Sequence, residues 1–266
     1  VHDAMLVHEK LAGNAKIGYV RVSEFTQPTA KDLSIALDKL EAEGMQALVL
    51  DMRNNPGGLL DSAVAVCGEF LPEGTVVVTQ EGRKASEDSP PYRTPKRNGK
   101  APRPYPVAVL ANHGSASAAE IVSAVLQDLK RAIVVGTTTF GKGSVQTILP
   151  MKNGSAMRLT TAKYYTPSHR TIHEHGVTPN IVSNLTTDEE MKLTRWRNTH
   201  GTGEAAALEQ ANLDDHQLER AVDALKGVLI FNEFNTPAQA APVQPRPIPA
   251  PVKLDALMAP PKVPGE

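Results

Sequence analysis

The sequence predicts an α/β fold built on a parallel sheet, and three observations carry that prediction. Three short runs, 47–52 (ALVLDM), 107–110 (VAVL) and 132–135 (AIVV), have the continuous hydrophobicity of strands buried on both faces. Segments of helical periodicity separate them. The first two runs end in turns of small residues, NNPGG at 54–58 and NHGSAS at 112–117, and each turn leads into a helical segment.

Each element has its own warrant. Residues 16–25 (KIGYVRVSEF) alternate apolar and polar, as a half-buried strand does. Pro28-Thr29 opens a helix over 30–43, with Ile35, Leu37 and Leu40 as its apolar positions and Gly44 as its stop. After the strand at 47–52 and the turn at 53–58, a helix runs over 59–71. A short strand follows at 76–79. Residues 81–104 are charged and proline-containing, lack periodicity, and read as a flexible solvated insert. Beyond residue 146, strands are predicted at 147–150 and 155–165, a turn-rich segment at 166–178, and helices at 188–196, 205–211 and 214–229. The last carries Leu218, Ala221, Val222 and Leu225 on one face. Residues 1–15 are weakly patterned. Residues 237–266 hold nine of the chain's 21 prolines and read as a disordered or polyproline II tail. The expected organisation is a core over 1–200, a helical segment over 201–232 and a proline-rich tail over 233–266.

Bulk properties exclude several functions. With 266 residues and a net charge of −1, the chain can bury a sizeable core and presents no global field for nucleic acid. Its single cysteine, Cys67, excludes an intramolecular disulfide framework and a cysteine-rich metal site. No apolar run approaches the ~20 residues of a transmembrane helix, so no membrane insertion is expected.

The chemistry concentrates between residues 112 and 146. A small-residue turn running into a helix exposes a serine hydroxyl beside free backbone N–H groups. Lys142 lies between Gly141 and Gly143, an odd place for a solubilising charge. A serine needs a neighbour to take its proton, and lysine can do so only if a desolvating pocket keeps its amine neutral. The reading is therefore a serine nucleophile and a Lys142 base. Ser115 and Ser117 both sit at the helix start, and spacing does not separate them; Ser123 falls inside the helix. The NNPGG turn supplies glycine N–H groups for an oxyanion, and the Ala118 N–H is the natural second donor. Asp128 lies about 16 Å along the helix from Ser117, which favours a structural role. Gln146 would stand ~13 Å from Lys142 in a straight strand, so contact needs a bend at Gly143. Two rivals are weaker. The segment 136–143 (GTTTFGKG) departs from a P-loop, because Gly143 stands where the magnesium-binding Ser or Thr belongs. His169, His173 and His175 lie in a turn, without the helical spacing of a zinc site. His113, four residues before Ser117, reads as a loop residue.

The combination of LVLDMRNNPGGLLDSAV, NHGSASAAEIVSAVLQD and VVGTTTFGKGSVQ resembles the carboxy-terminal processing peptidases, or tail-specific proteases, of the S41 serine peptidases. The resemblance spans about 16–182 and implies a crotonase/ClpP-like α/β core with added strands and C-terminal helices. It implies that Ser117 is the nucleophile, Lys142 the general base and Gln146 the residue that orients the lysine. Gly57 or Gly58 together with Ala118 would form the oxyanion hole, and Asp128 would be supporting. RTIHEHGVTPNI resembles the family's loop after the active site. No metal or cofactor is implied; the partner is a polypeptide cut near its C-terminus, with a homo-oligomer left open. An extracytoplasmic location, bacterial envelope or thylakoid lumen, is implied by the resemblance alone. Ala119 stands where many members carry serine. The PDZ domain that usually precedes such a core is not expected in the fifteen or so residues before Lys16. The alternative expectation is a non-catalytic binding module on the same fold, or a core that is inactive without that domain.

Overall fold

The structure is a computed structural model and describes residues 1, 3–83, 89–97, 99–151, 154–199 and 204–235; the predicted tail lies outside them. Its centre is a sheet of order β1-β2-β3-β6-β7-β10, formed by Asp3–Leu6, Ile17–Arg21, Ala47–Asp51, Val107–Ala111, Ala132–Gly136 and Ile181–Val182. All neighbours are parallel except β1, which pairs antiparallel with β2. Helices α2 (Thr29–Ala42), α3 (Leu60–Phe70) and α4 (Ala118–Asp128) lie in the connections between successive parallel strands.

Strand alternation divides the core in two. Val20, Leu48, Leu50, Val107, Val109 and Val134 face α2, α3 and α4. Ile17, Tyr19, Val49, Ala108, Leu110 and Val135 face the opposite layer. There Trp196 of α5 (Thr187–Thr199) packs with Leu218, Ala221, Val222 and Leu225 of α7 (His216–Asn235). The short α1 (Glu9–Ala12) and α6 (Glu204–Ala211) complete this layer. Because both faces are covered, β2 is buried throughout its first four residues and is not the half-buried strand that its alternation suggested. Its polar positions are few, and the Tyr19 hydroxyl is satisfied internally by Asp51.

A second sheet, β5-β4-β9-β8, is formed by Ser89–Arg93, Val76–Gly82, Ala156–Tyr165 and Ser144–Pro150. β8 and β9 make an antiparallel arm, and β8 is its exposed edge. The insert at 81–104 departs from expectation. It carries the end of β4, all of β5, and the buried Thr94 and Arg103. Two of its arginines pair internally: Arg103 reaches Asp38 and Glu41 on α2 and Glu69 on α3, and Arg97 also reaches Glu69. Residues 84–88 and 98 lie outside the described residues. Residues 1–15 likewise form β1 and α1, which weak patterning did not predict.

On α2, Leu33, Leu37 and Leu40 are buried at i, i+4 and i+7, whereas Ile35 is 58% exposed and does not belong to the apolar face. Leu37→Ala is expected to destabilise the fold by about 2–5 kcal/mol, read from denaturant midpoints. Cys67 is fully buried in α3, and burial pushes its thiol up to about 12. Native protein should therefore resist thiol-directed alkylation at neutral pH, with labelling appearing only on unfolding.

Candidate active site

Strands β3 and β6 end side by side, with Asp51 paired to Leu110, and the two small-residue turns leave from these C-terminal ends. The turns are bonded to each other. The Ala116 N–H donates to the Asn55 carbonyl at 2.9 Å. Asn112 Oδ1 accepts the Asn54 N–H, and Asn112 Nδ2 donates to Asn54 Oδ1. The buried Asn55 holds its own turn by donating to the Val22 carbonyl and accepting the Gly57 N–H.

The three candidate serines occupy different environments. Ser115 is fully buried; its Oγ donates to the Met52 carbonyl and accepts the Asn112 N–H. Ser123 is fully buried and donates to the Ala119 carbonyl within α4. Ser117 is half-buried at the N-cap of α4, with φ 56° and ψ −115°. A non-glycine residue in that region is strained by roughly 1–3 kcal/mol and is held there by its surroundings.

The surroundings are Glu120, a residue missing from the sequence-derived site. Glu120 is fully buried and its carboxylate gathers four donors. Oε2 accepts the Ser117 N–H at 2.8 Å and the Lys142 N–H at 2.8 Å. Oε1 accepts the Gly141 N–H at 2.6 Å and the Thr139 hydroxyl at 2.5 Å. One buried side chain thus joins the backbone of the candidate nucleophile to that of the candidate base. The signal was present in the sequence: Ser117 and Glu120 have Ser-x-x-Glu capping-box spacing, and Glu120 is an acid inside an apolar helix.

Gly57 and Gly58 have positive φ, 101° and 138°. A Cβ on Gly57 would lie 2.7 Å from the Ala116 carbonyl oxygen, 2.8 Å from Ser117 Cβ and 2.9 Å from the Ala118 nitrogen. One on Gly58 would lie 2.1 Å from the Phe25 carbonyl oxygen. Both positions therefore exclude side chains. Their N–H groups differ: Gly57 donates to Asn55, whereas those of Gly58 and Ala118 donate to nothing among the described residues.

Lys142 departs from expectation. Its backbone is anchored, but its side chain is exposed and makes no hydrogen bond or ion pair among the described residues. The desolvating pocket expected for it is not formed among the described residues, and the arm that begins at Ser144 leaves its outer residues exposed. Gln146, on that arm, is also exposed, and its side chain makes no hydrogen bond among the described residues. The register irregularity between Val145 and Gln146 turns the strand there. The structure thus brings Ser117, Ala118, Gly57 and Gly58 together, links Lys142 to them through its backbone, and leaves Gln146 on the arm.

Asp128, at the far end of α4, accepts hydrogen bonds from Ser168 and Arg170. These belong to the loop at 166–178, whose other end touches the lysine bend: the Glu174 N–H donates to the Gly141 carbonyl at 2.9 Å. The Val177 N–H donates to Thr139 Oγ1. His169 pairs with Glu81 and stacks on Tyr165, and His175 bonds the His173 carbonyl. His113 sits beside the Phe140 ring.

Below the NNPGG turn lies a buried charge cluster. Arg53 bonds Asp51 and Asp215, Arg197 bonds Asp51, and Tyr19 donates to Asp51. Burial alone would raise the Asp51 carboxyl, but the charges of Arg53 and Arg197 outweigh it and hold the group well below the usual carboxylate range. A carboxyl lowered on folding contributes stability that is complete above its unfolded pKa, about 4, and is lost as pH falls toward the native value. The stability gap between wild type and Asp51→Asn should therefore be constant above about pH 4 and shrink on further acidification, as measured by urea titrations across pH.

The sequence pattern of Peptidase family S41 matches residues 16–183. A carboxy-terminal-processing protease of Bartonella bacilliformis is 40% identical over 237 residues, covering 82% of this chain and 54% of the relative. A carboxyl-terminal-processing protease of Synechocystis is 40% identical over 166 residues, covering 62% of this chain and 38% of the relative. The chain thus spans about half or less of these relatives' length. Among solved structures, the photosystem II D1 C-terminal processing protease superposes with a TM-score of 0.59 at 34% identity, over 67% of this chain and 46% of that one. Mature CPAF, at 16% identity and a TM-score of 0.62, shares the fold over 85% of this chain and 54% of that one.

Proposed function

This chain belongs to peptidase family S41, and from that premise we propose that it is the catalytic core of a serine endopeptidase that trims polypeptides near their C-termini. The observation that carries the reading is the Glu120 bridge. It joins the backbone of a strained serine, whose hydroxyl accepts the Glu120 N–H in a capping box and donates to nothing among the described residues, to the backbone of Lys142. In this reading Ser117 Oγ attacks the scissile carbonyl. Lys142 takes the hydroxyl proton and returns one to the leaving amine, leaving an acyl-enzyme that water hydrolyses. The unengaged N–H groups of Gly58 and Ala118 receive the oxyanion, while Gly57 shapes the turn beside Ser117.

The exposed lysine sets a condition on this mechanism. General-base work needs a neutral amine, and a polypeptide lying over the arm would cover Lys142 and Gln146 and exclude water from both. Gln146 then orients the amine, and Asp128 supports the lysine bend through the loop at 166–178. No step calls on a metal or cofactor. A location outside the cytoplasm follows the family resemblance. Among the described residues no helix is long and apolar enough to cross a membrane.

The test is digestion of an unfolded protein with its products mapped by mass spectrometry. Wild type should release C-terminal fragments, and Lys142→Ala should slow release by about 10²-fold or more. Equal cleavage by the two proteins would sink the lysine's role. No cleavage by wild type, with retained peptide binding, would favour a binding module on this fold.

A further inference from the structure

The family match ends at residue 183, yet the helices beyond it reach the buried floor of the candidate site. Arg53, two residues past the end of β3, is fully buried, and its guanidinium is gripped from two sides. Asp51 holds one edge, at 2.6 Å from Nη2 and 3.0 Å from Nε. Asp215 holds the other, at 2.8 Å from Nη1 and 2.9 Å from Nη2. Gln217 also accepts from Nη1. Asp215 stands immediately before α7, and its Oδ1 accepts the Leu218 N–H, so one carboxylate both caps that helix and clasps Arg53. From α5, Arg197 donates to Asp51 Oδ2 at 2.7 Å. The side chains of Asp51, Arg53, Asp215 and Arg197 are each at most 3% exposed, and they make two acids against two bases.

The chain leaving this cluster is the turn that carries Gly58. Asp51 Oδ1 accepts the Arg53 N–H, and Asn54 follows with φ 57°. Asn55 and Gly57 then meet the Ser117 turn. Arg53, Arg197, Asn54 and Asn112 line one cavity of about 60 Å³, so α5 lies directly against the turn. Planar, bidentate guanidinium–carboxylate pairs fix direction as well as distance. Removing one member of a buried cluster leaves its partners uncompensated and free to shift.

We propose that Asp215 and Arg197 are positioning residues: through Asp51 and Arg53 the helices after the family core set the turn that presents the Gly58 N–H to the oxyanion. The kinetic part rests on the proposed function; the mechanical part does not. The experiment compares the full chain with Asp215→Asn, Arg197→Gln and the conservative Arg197→Lys. Turnover of a peptide substrate, affinity for a peptide boronate and amide exchange across residues 54–58 are measured. Asp215→Asn and Arg197→Gln should lower kcat tenfold or more with KM within twofold. Boronate affinity should fall in parallel, because its tetrahedral adduct uses the same donors. Arg197→Lys keeps the charge but loses the planar fork, so it should lower kcat about threefold with KM unchanged and quicken exchange at 54–58 to a lesser degree, and it stands in should the harsher variants fail to fold. Amide exchange at 54–58 should quicken by tenfold or more relative to the strands. Variants that melt earlier but keep wild-type kcat and turn protection would overturn the proposal. Should wild type not cleave, the protease reading fails, and unchanged or quickened exchange still decides the coupling.

Discussion

Ser117→Ala should lower turnover by about 10³-fold or more at the stability cost of one helix cap, whereas Ser115→Ala should lose stability with turnover largely kept. The two residues are two positions apart and chemically identical, so the difference lies in their partners. Ser115 Oγ joins the Met52 carbonyl to the Asn112 N–H between the ends of β3 and β6. Its removal leaves the Asn112 N–H without an acceptor and the Met52 carbonyl with only the Asn55 N–H, and costs about 1–3 kcal/mol. Ser117 Oγ closes only the capping box with the Glu120 N–H at the start of α4, so its loss costs no more than a helix cap, about 0.5–2 kcal/mol. Alanine there keeps the same positive φ, so the strain and the Glu120 contact remain. Rates and urea midpoints for the two variants decide between them. An active Ser117→Ala beside an inactive, fully folded Ser115→Ala would move the nucleophile.

Glu120→Ala should be the second largest loss, about 10²-fold or more in kcat/KM, although Glu120 has no part in bond making. It removes the shared acceptor of four donors: the N–H groups of Ser117, Gly141 and Lys142 and the Thr139 hydroxyl. The strained Ser117 turn and the lysine bend then lose their common anchor. Glu120→Gln is a sharper probe, because its side chain nearly preserves shape but offers one acceptor oxygen in place of two. Its amide nitrogen must face either Ser117 and Lys142 or Gly141 and Thr139. We expect a comparable loss of activity with a smaller loss of stability than in Glu120→Ala. Wild-type kcat in Glu120→Gln would show that the bridge does not set the site.

Much of this architecture is legible in local sequence. Continuous apolar runs mark β3, β6 and β7 because both faces of a parallel sheet are covered, and small residues at their ends mark the turns that face the site. What escaped depends on partners distant in sequence. Arg53 and Asp215 are 162 residues apart and Arg197 and Asp51 are 146 apart, so no window shows that these charges neutralise one another. The insert at 81–104 read as solvated for the same reason, since Arg103 is satisfied by acids on α2 and α3. Glu120 carried a local signal in its capping-box spacing, but its bonds to Thr139, Gly141 and Lys142 arise only when α4 meets the segment after β7. The burial expected of Lys142 followed from its task as a base and from the buried strand and glycines around it, but Lys142 lies beyond that strand and its side chain is exposed.

Ser117, presented by its strained turn and tied to Lys142 through Glu120, should form the acyl-enzyme. Mass spectrometry after single-turnover quenching with an activated peptide ester tests this most directly. An acyl adduct is expected on Ser117 itself, located by fragmentation of the tryptic peptide that also carries Ser115 and Ser123, and slowed at least about 10²-fold in Lys142→Ala. Turnover of the ester by wild type with the adduct on another residue, or an adduct on Ser117 that forms equally fast without Lys142, would contradict it.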